Sequence, residues 1–229
     1  MAAVQVVRGL PESVLASVLR ASATPLPVHL SMLPQAYHQL AVHAAFPSIL
    51  DDRSINLEYR FLHDDVAVAV CPSLHKVTSL QLRGVARNIK TLALHLNSLT
   101  ALQQLDLHGN KLCVEGVRTL GSHLASLSAL HHLDLRGNKM GAEGVRTLGS
   151  HLASLSELHS LNLRVDFTGD EGTRALGPHL ASLSALLYLD LSDNYIVSED
   201  AIALGPRLAS LSALHHLNLS GNEIDGFLL

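Results

Sequence analysis

The chain has 229 residues, a length that suits one or two domains with a sizeable hydrophobic core. Hydrophobic residues make up 48% of it and charged residues 16%, a balance that excludes intrinsic disorder as its general state. The formal net charge of −4 argues against binding to nucleic acid or an anionic membrane, and no apolar run reaches the ~20 residues of a membrane span.

The first 51 residues carry two apolar stripes with helical spacing. Leu10-Pro11 opens the first stripe, because a proline suits the first turn of a helix, and Pro25 and Pro27 end it. The second stripe includes Leu33 and Tyr37 and ends near residue 46. The pattern predicts a small helical segment that covers the start of the repeats that follow it.

The same segment resembles the F-box family, which opens with Leu-Pro and later has an aromatic residue followed by Leu-Ala. Leu10-Pro11, Tyr37 and Leu40-Ala41 occupy those places, whereas Pro34-Gln35 replaces the family's Cys-Arg and Tyr37 its Trp. The resemblance implies a site for a SKP-type adaptor; the alternative is a helical cap without such a site. The residues expected to contact the adaptor are Leu10, Pro11, Leu15 and Tyr37.

The rest of the chain is made of repeats. Four copies have a period of 28 residues, two weaker copies before them have 25, and a shortened copy closes the chain. The copies begin at residues 52, 77, 102, 130, 158, 186 and 214. The sequence therefore predicts a helical cap or divergent F-box-like segment at 1–51, and a domain of six full units and one truncated unit at 52–229.

Each unit predicts a short strand, a turn and a helix. In the unit that begins at residue 130, Leu133 and Leu135 point to one face of the strand and Asp134 to the other. Asn138 lies where the strand turns, and we expect its side chain to bond the turn backbone of its own and the next repeat. Apolar residues then recur at helical spacing from Val145 onwards. One unit cannot bury its own apolar face, so the units must stack.

This pattern resembles the leucine-rich-repeat family, and within it the ribonuclease-inhibitor-like class, whose repeats have the same period and helical convex sides. The resemblance covers residues 52–229. It implies an α/β solenoid with a curved parallel sheet on the concave side, helices on the convex side and the small helical segment at its N-terminus. The strands are expected near residues 55–57, 80–82, 105–107, 133–135, 161–163, 189–191 and 217–219.

Two departures from the pattern lie inside the repeats. Asp166 takes the position of the turn asparagine and, as a carboxylate, cannot donate, so the ladder is expected to be irregular around Val165 and Asp166. Pro178 and Pro206 fall within predicted helices, which are expected to kink or split there because proline removes a hydrogen-bond donor.

The last unit has a strand but no helix behind it. The core of the unit before it, including Leu204, Leu208 and Leu211, is therefore expected to be only half covered. An open parallel edge also leaves backbone donors and acceptors unpaired. The chain is expected to self-associate through this uncapped C-terminal end, or to fray there.

No catalytic motif stands out from the repeats, and no Gly-Lys-Ser/Thr follows the repeated glycines. The helix histidines, from His95 to His179, share one position, which indicates a partly solvated helix face because neighbouring helices lie ~8–10 Å apart. His131 and His159, on adjacent strands, are the only pair worth a metal test, and Cys113 fills a loop position. We therefore predict no enzyme, no cofactor and no bound metal.

Solenoids offer an extended concave surface to their partners, so the outward-facing strand residues are the expected contacts. The leading hypothesis is a protein–protein interaction scaffold, since Tyr and Arg on this face are typical of interfaces. The alternative for Asp134 and Arg136 is that they only pair with neighbours across strands. The expected contact residues are Gln104, Asp106, His108, His132, Asp134, Arg136, Arg164, Tyr188, Asp190 and His216.

Two other functions stay open. The F-box resemblance implies a substrate-recognition subunit of a cullin-RING ubiquitin ligase. The resemblance to ribonuclease-inhibitor-like solenoids implies, as a minor alternative, a GTPase-activating protein of the Ran-GAP-like type. The two cysteines and the lack of a leader-like pattern at the N-terminus predict a cytoplasmic or nuclear location.

Overall fold

The computed structural model describes residues 54–58, 77–84, 93, 96–97, 99–166 and 168–225, with the backbone alone for 54–58. Predictions on residues 1–51, including those on Leu10, Pro11, Leu15 and Tyr37, lie outside the described residues. The strands described are β1 Ser54–Glu58, β2 Ser79–Arg83, β3 Gln104–Asp106, β4 His132–Asp134, β5 Ser160–Asn162, β6 Tyr188–Asp190 and β7 His216–Asn218. The helices described are α1 Cys113–Leu124, α2 Gly141–Leu152, α3 Gly169–Leu180 and α4 Ser198–Ala209.

The strands form one parallel sheet in which they follow one another in chain order. Residues one repeat apart face each other, so Leu105 pairs with Leu133 and Leu133 with Leu161. The predicted strands are confirmed, although the short strands from β3 to β7 begin one residue earlier than expected. The reason is visible at β4, where the N–H of His132 already donates to the carbonyl of Gln103 (2.9 Å), before the buried Leu133.

The core lies between the sheet and the helices. Leu133 and Leu135 are 1% and 0% exposed, as predicted for inward-facing strand residues, and Val145, Leu148 and Leu152 of α2 are fully buried opposite them. Burying one leucine side chain contributes ~2 kcal/mol relative to exposing it, so the repeated stripe is the main source of stability. The repeated layers make an α/β leucine-rich-repeat solenoid, with the sheet on its concave side and the helices on its convex side.

Neighbouring helices approach closely where one of them carries a glycine. A Cβ built on Gly121 of α1 would lie 2.2 Å from Cδ2 of His151 in α2, and one built on Gly149 would lie 2.6 Å from Cδ2 of His179 in α3. Both histidines are half-buried over these glycines. These glycines therefore serve the close packing of neighbouring helices, and the expectation that the helix histidines form a partly solvated face is confirmed for His151 and His179.

The turn asparagines link successive repeats. Asn138 Nδ2 donates to the carbonyl of Leu135 in its own repeat (2.6 Å) and to that of Leu107 in the preceding repeat (3.0 Å). Its Oδ1 accepts from the N–H groups of Asn110 (2.9 Å) and Leu112 (3.4 Å). The prediction that Asn138 bonds to the next repeat is therefore wrong. Its side chain bonds to the preceding repeat instead, because the backbone N–H groups of the preceding turn point towards Asn138.

The ladder continues through Asp166, so the expected irregularity is wrong for its backbone. Asp166 Oδ1 accepts from the N–H of Asn138 (2.7 Å), and the N–H of Asp166 donates to Asn194 Oδ1 (3.0 Å). These bonds on both sides hold the turn in place. Two local departures from the regular turn remain. Asp166 Oδ2 is buried with no hydrogen-bond partner among the described residues. The β-branched Val165 has a φ of +57°, a left-handed conformation that is unfavourable for such a residue.

The four helices described are short and unbroken. α3 and α4 run through Pro178 and Pro206, so the expected split is wrong. Both prolines lie in the last turn of their helices, where the loss of one backbone bond affects only the helix end. None of the described helices is both long enough and apolar enough to cross a bilayer.

The core is less covered at the last unit than elsewhere. The exposed residue lies on β7, whereas the sequence predicted exposure on the helix side of the unit before it. Leu204 and Leu211 are 2% and 4% exposed, so half-coverage is wrong for these two, whereas Leu208 is half-buried as predicted. Leu204 is covered from the preceding repeat, where its Cδ1 lies 3.4 Å from the Cβ position of Gly177. The exposure falls on β7, where Leu217 is 36% exposed against 1% for the equivalent Leu133.

Candidate functional site

The outward-facing strand residues form three columns on the concave face, numbered from the start of the strands. The first column is Ser79, Gln104, His132, Ser160, Tyr188 and His216. The second is Gln81, Asp106, Asp134, Asn162, Asp190 and Asn218. The third is Arg83, His108, Arg136, Arg164, Ser192 and Ser220. The first two columns therefore hold three aspartates and neither lysine nor arginine, while the arginines of the face all lie in the third column.

A hydrogen-bonded group of side chains lies where β6 and β7 pair. The rings of Tyr188 and His216 are stacked, with centroids 4.8 Å apart and an interplanar angle of 6°. The Tyr188 hydroxyl and Asn218 Nδ2 both donate to Asp190 Oδ2, at 3.1 and 3.2 Å. Ser192 donates to Asp190 Oδ1 through its N–H (2.9 Å) and its hydroxyl (2.6 Å). These five residues are termed the tyrosine cluster.

Asp190 anchors the tyrosine cluster as an ion. Burial would raise its pKa, but the hydrogen bonds from Ser192, Asn218 and Tyr188 outweigh burial and hold the pKa of Asp190 below its usual range. Burial, and after it the charge of Asp190, raises the pKa of Tyr188, so the phenol keeps its proton at neutral pH. Tyr188 is thus held in place by a charge-assisted hydrogen bond and by a ring contact.

Two arginines of the third column are bound to carboxylates of other strands or turns. Arg83 Nε donates to Asp106 Oδ2 on the next strand (2.6 Å). Arg164 Nε donates to Asp193 Oδ2 in the turn of the next repeat (2.8 Å). The Arg164 side chain is still 51% exposed, so its terminal amino groups are accessible to a partner.

Asp134 and Arg136 pair with each other along β4, so the alternative of pairing only across strands is wrong for them. Arg136 Nε lies 3.3 Å from Asp134 Oδ2, and the N–H of Arg136 donates to Asp134 Oδ1 (3.0 Å). Both side chains remain accessible, at 24% and 35% exposure for Asp134 and Arg136. Burial raises the pKa of Asp134 even though the Arg136 contacts act to lower it.

All ten predicted contact residues lie in the three columns, and three of them meet in the tyrosine cluster. Their role in binding stays a prediction. The sequence placed Ser192 and Asn218 in columns of this face, but they were not among the expected contact residues. Sequence reasoning missed Asp193, which takes the place of glycines such as Gly137 and, like them, has a positive φ, +57°. The signal for Asp193 was a charged residue at a position where other repeats carry glycine.

The strand-start histidines contact each other without forming a recognisable metal centre. The rings of His131 and His159 meet edge to face, with centroids 4.8 Å apart. Burial, and after it the charges of His131 and His159, lowers the pKa of His132. Across the described ranges, no three His, Cys, Asp or Glu side chains are placed to hold a metal ion. Cys113, expected in a loop, is the exposed first residue of α1.

No protein-family model and no curated protein sequence matches the chain. A solved complex of TLR13 with ssRNA13 is 23% identical over 66% of this chain, with a TM-score of 0.39, and the match spans only 24% of that longer chain. An internalin, inlF, from Listeria monocytogenes is 14% identical over 89% of this chain and 94% of its own, with a TM-score of 0.22. The leucine-rich-repeat assignment therefore rests on the strand ladder and the turn asparagines of this chain.

Proposed function

We propose that this protein is a protein-interaction scaffold, without catalytic activity of its own, that binds a partner through the concave face of the solenoid. The tyrosine cluster carries the proposal. Because Tyr188 is stacked on His216 and bonded to Asp190, it loses little side-chain freedom when a partner binds. Tyrosine and arginine contribute most to many protein interfaces, and Arg136 and Arg164 share the face with Tyr188.

The tyrosine cluster is not required by the packing of the solenoid, which supports a role in contact. The positions of Tyr188 and His216 are taken by Gln104, His132 and Ser160 in other repeats, whose strands pair in the same register. Several chemically different side chains are thus compatible with the same sheet. The stacked rings of Tyr188 and His216 are not needed for the stability of the sheet, so they are available to contact a partner protein.

Photo-crosslinking tests the proposal. A crosslinking amino acid is placed at Gln104 or Ser220 on the concave face, and at Arg118 or Ser150 on the convex helices; all four positions are exposed. In extract of the native source, one partner is expected to be captured from the concave positions only. Capture from the convex positions alone would contradict the proposal.

The captured protein then allows a quantitative test. Tyr188→Ala is expected to weaken binding by about tenfold or more, because truncation of an anchored aromatic residue typically costs more than 1.4 kcal/mol. Ser150→Ala on the convex face is the matched control and should bind as the wild type does. A Tyr188→Ala variant that binds normally would count against the concave face as the interface.

We infer further that the chain has the architecture of the ribonuclease-inhibitor-like class, with seven units at 52–229 and a separate segment at 1–51. Helices of 12 residues opposite strands of 3 residues support this class, as does the spacing of 28 residues between bonded turn asparagines. No described residue favours the GTPase-activating alternative over a scaffold.

The F-box hypothesis remains a prediction on residues 1–51. If the segment binds a SKP-type adaptor, the solenoid would be the substrate-recognition part of a cullin-RING ubiquitin ligase, and the concave face would hold the substrate. The whole chain is then expected to co-purify with the adaptor, and Leu10→Asp with Leu15→Asp to abolish this. If the whole chain and the adaptor do not associate at micromolar concentration, the segment is only a cap.

A further inference from the structure

The first concave column is a row of rings with one gap in it. From β4 to β7 it reads His132, Ser160, Tyr188 and His216. The stacked rings of Tyr188 and His216 are 4.8 Å apart, which is also the spacing of neighbouring strands. Ser160 carries no ring, so the positions of His132 and Tyr188 are two strand spacings, about 9–10 Å, apart.

The gap has the dimensions of one flat group. A planar group midway between the two positions would be one strand spacing from each, which matches the 4.8 Å between the stacked rings of Tyr188 and His216. At the base of the gap, the hydroxyl of Ser160 and Nδ2 of Asn162 have no hydrogen-bond partner in the part of the chain that the structure describes. The base is therefore polar and its bonding capacity is unused.

The two sides of the gap suit stacking. Tyr188 cannot easily swing away, because its hydroxyl donates to Asp190 and one face of its ring lies on His216. On the other side, His132 is exposed to solvent. Burial and the neighbouring histidines lower the pKa of His132, so its ring is uncharged at neutral pH.

The first two columns carry negative charge beside the gap, part of which Arg136 of the third column neutralises by pairing with Asp134. The first two columns hold aspartates and neither lysine nor arginine. Asp190, beside the gap on β6, is bound by Tyr188, Ser192 and Asn218 and by no cation among the described residues. In the strand register, Asp134 on β4 and Asp190 on β6 flank Asn162 on either side.

A flat group with a positive charge matches these features together. The guanidinium of arginine is planar, permanently charged and able to stack on tyrosine while it donates hydrogen bonds at its edge. The ammonium of lysine has the charge but not the flat shape. A neutral aromatic ring has the shape but makes no use of the negative charge of Asp190.

We propose that the gap over Ser160, between His132 and Tyr188, is a binding slot for an arginine side chain of the partner protein. The slot rests on the proposed scaffold function and specifies the chemistry of what the concave face recognises. Ser160 Oγ, at the base, accepts from the guanidinium, whose faces stack on the two rings.

Ser160→Tyr tests the slot by filling it with a ring from the chain itself. The column already carries a tyrosine on the adjacent strand, at Tyr188, so the sheet accommodates this residue. Ser79→Tyr is the matched control, because Ser79 lies in the same column on β2, away from the slot. The probes are a hexa-arginine and a hexa-lysine peptide, with binding measured by calorimetry and folding checked by thermal melts.

Wild type is expected to bind hexa-arginine about fivefold or more tightly than hexa-lysine. Ser160→Tyr should lower the affinity for hexa-arginine by about tenfold, whereas Ser79→Tyr should change that affinity by no more than about twofold. Equal binding of the two peptides, or binding that survives Ser160→Tyr, would overturn the slot. If Ser160→Tyr does not fold, NMR titration of the wild type decides: shifts centred on His132 and Tyr188 support the slot, and shifts elsewhere overturn it.

The failure of the slot and the failure of the scaffold proposal have different signatures. If only the slot is wrong, Tyr188→Ala still lowers the affinity for the captured partner, whereas Ser160→Tyr leaves the affinity for hexa-arginine unchanged. If the scaffold proposal is wrong, no partner is captured from concave positions, whatever the peptides do.

Discussion

Asp166 takes the position that asparagine holds in the neighbouring turns, and it does so as a neutral acid. Its Oδ1 accepts from the N–H of Asn138 (2.7 Å), as the amide oxygen of asparagine does elsewhere. Burial outweighs that bond and raises the pKa of Asp166 to about 8. At neutral pH the carboxyl therefore carries a proton, and the buried Oδ2 can donate where an asparagine would donate with Nδ2.

Asp166→Asn is expected to stabilise the protein, increasingly so as the pH rises. The carboxyl ionises near pH 3.8 when exposed and near pH 8 in the fold, so raising the pH between these values favours the unfolded wild type. The amide of the variant does not titrate. The advantage of the variant in the free energy of unfolding should grow by about 1.4 kcal/mol per pH unit from about pH 4 to about pH 8 and then level off. Urea melts at several pH values measure this advantage.

The reciprocal variant is the control. Asn194→Asp removes an Nδ2 that donates to the carbonyl of Leu163 (2.8 Å). It should reproduce the Asp166 defect in a regular turn, with a loss of stability that grows as the pH rises. If Asp166→Asn gained the same stability at every pH, the pKa of Asp166 would have to be the same in the folded and the unfolded chain, contrary to the effect of its burial.

Val165→Gly is expected to stabilise the same turn by about 0.5–1 kcal/mol. A left-handed conformation costs a residue with a Cβ ~1–2 kcal/mol, and glycine avoids that cost while losing more backbone freedom on folding. Val165 has a φ of +57° where Gly137 has +69°. Val165→Ala keeps the strain and should gain much less. Equal melting temperatures for Val165→Gly and wild type would mean that the turn stores no strain.

The strands of this protein were easier to predict than the details of its helices. Alternating residues such as Leu133, Asp134 and Leu135 fix both the faces and the register of a strand, since a shift by one residue would expose the leucines. The effect of a proline depends on its distance from the helix end, and the period does not give that end. Pro178 was therefore expected to split a helix that in fact ends two residues later, at Leu180.

Gly121→Ala is expected to destabilise the contact between α1 and α2 by about 1–3 kcal/mol, a typical result of overpacking. The added methyl would lie 2.2 Å from the ring of His151. Gly205→Ala in α4 is the matched control, because nothing lies within 4 Å of its Cβ position. That control should be neutral or stabilising by up to about 1 kcal/mol, the helix propensity of alanine over glycine.

A double-mutant cycle separates the helix contact from other effects. Adding His151→Ala to Gly121→Ala should restore most of the loss, because the methyl then has room. Urea melts of the two single variants and the double variant give the coupling free energy. Purely additive losses would show that the histidine does not limit the approach of the helices.

At the scale of the whole molecule, the period predicted which residues share the concave face but not which of them bond. The columns follow from the strand register, which the repeats define. The contacts of Arg164 and Asp190 depend on Asp193 and Ser192, whose placement is set by the turn after each strand. The residue type in the turn varies between repeats of equal length, since Val165 and Asp193 occupy a glycine position with a similar positive φ.

The exposed strand β7 bears on the oligomeric state. It is the last strand of the described sheet, and Leu217 is 36% exposed on it. We predict that the 229-residue chain self-associates through this end or frays there. Analytical ultracentrifugation should show a concentration-dependent mass that Leu217→Lys abolishes. A monomer at high concentration, with strong amide protection at residues 214–220, would contradict both outcomes.

The backward reach of the turn asparagines has a consequence for how the protein is made. Asn138 is added by the ribosome 28 residues after Asn110, whose N–H it accepts. Until then the N–H groups of Asn110 and Leu112 can bond only to water, so a newly emerged unit is complete only when its successor has left the exit tunnel. Folding during translation therefore trails synthesis by at least one repeat, and a stalled nascent chain exposes its newest turn, rather than its oldest, to proteases.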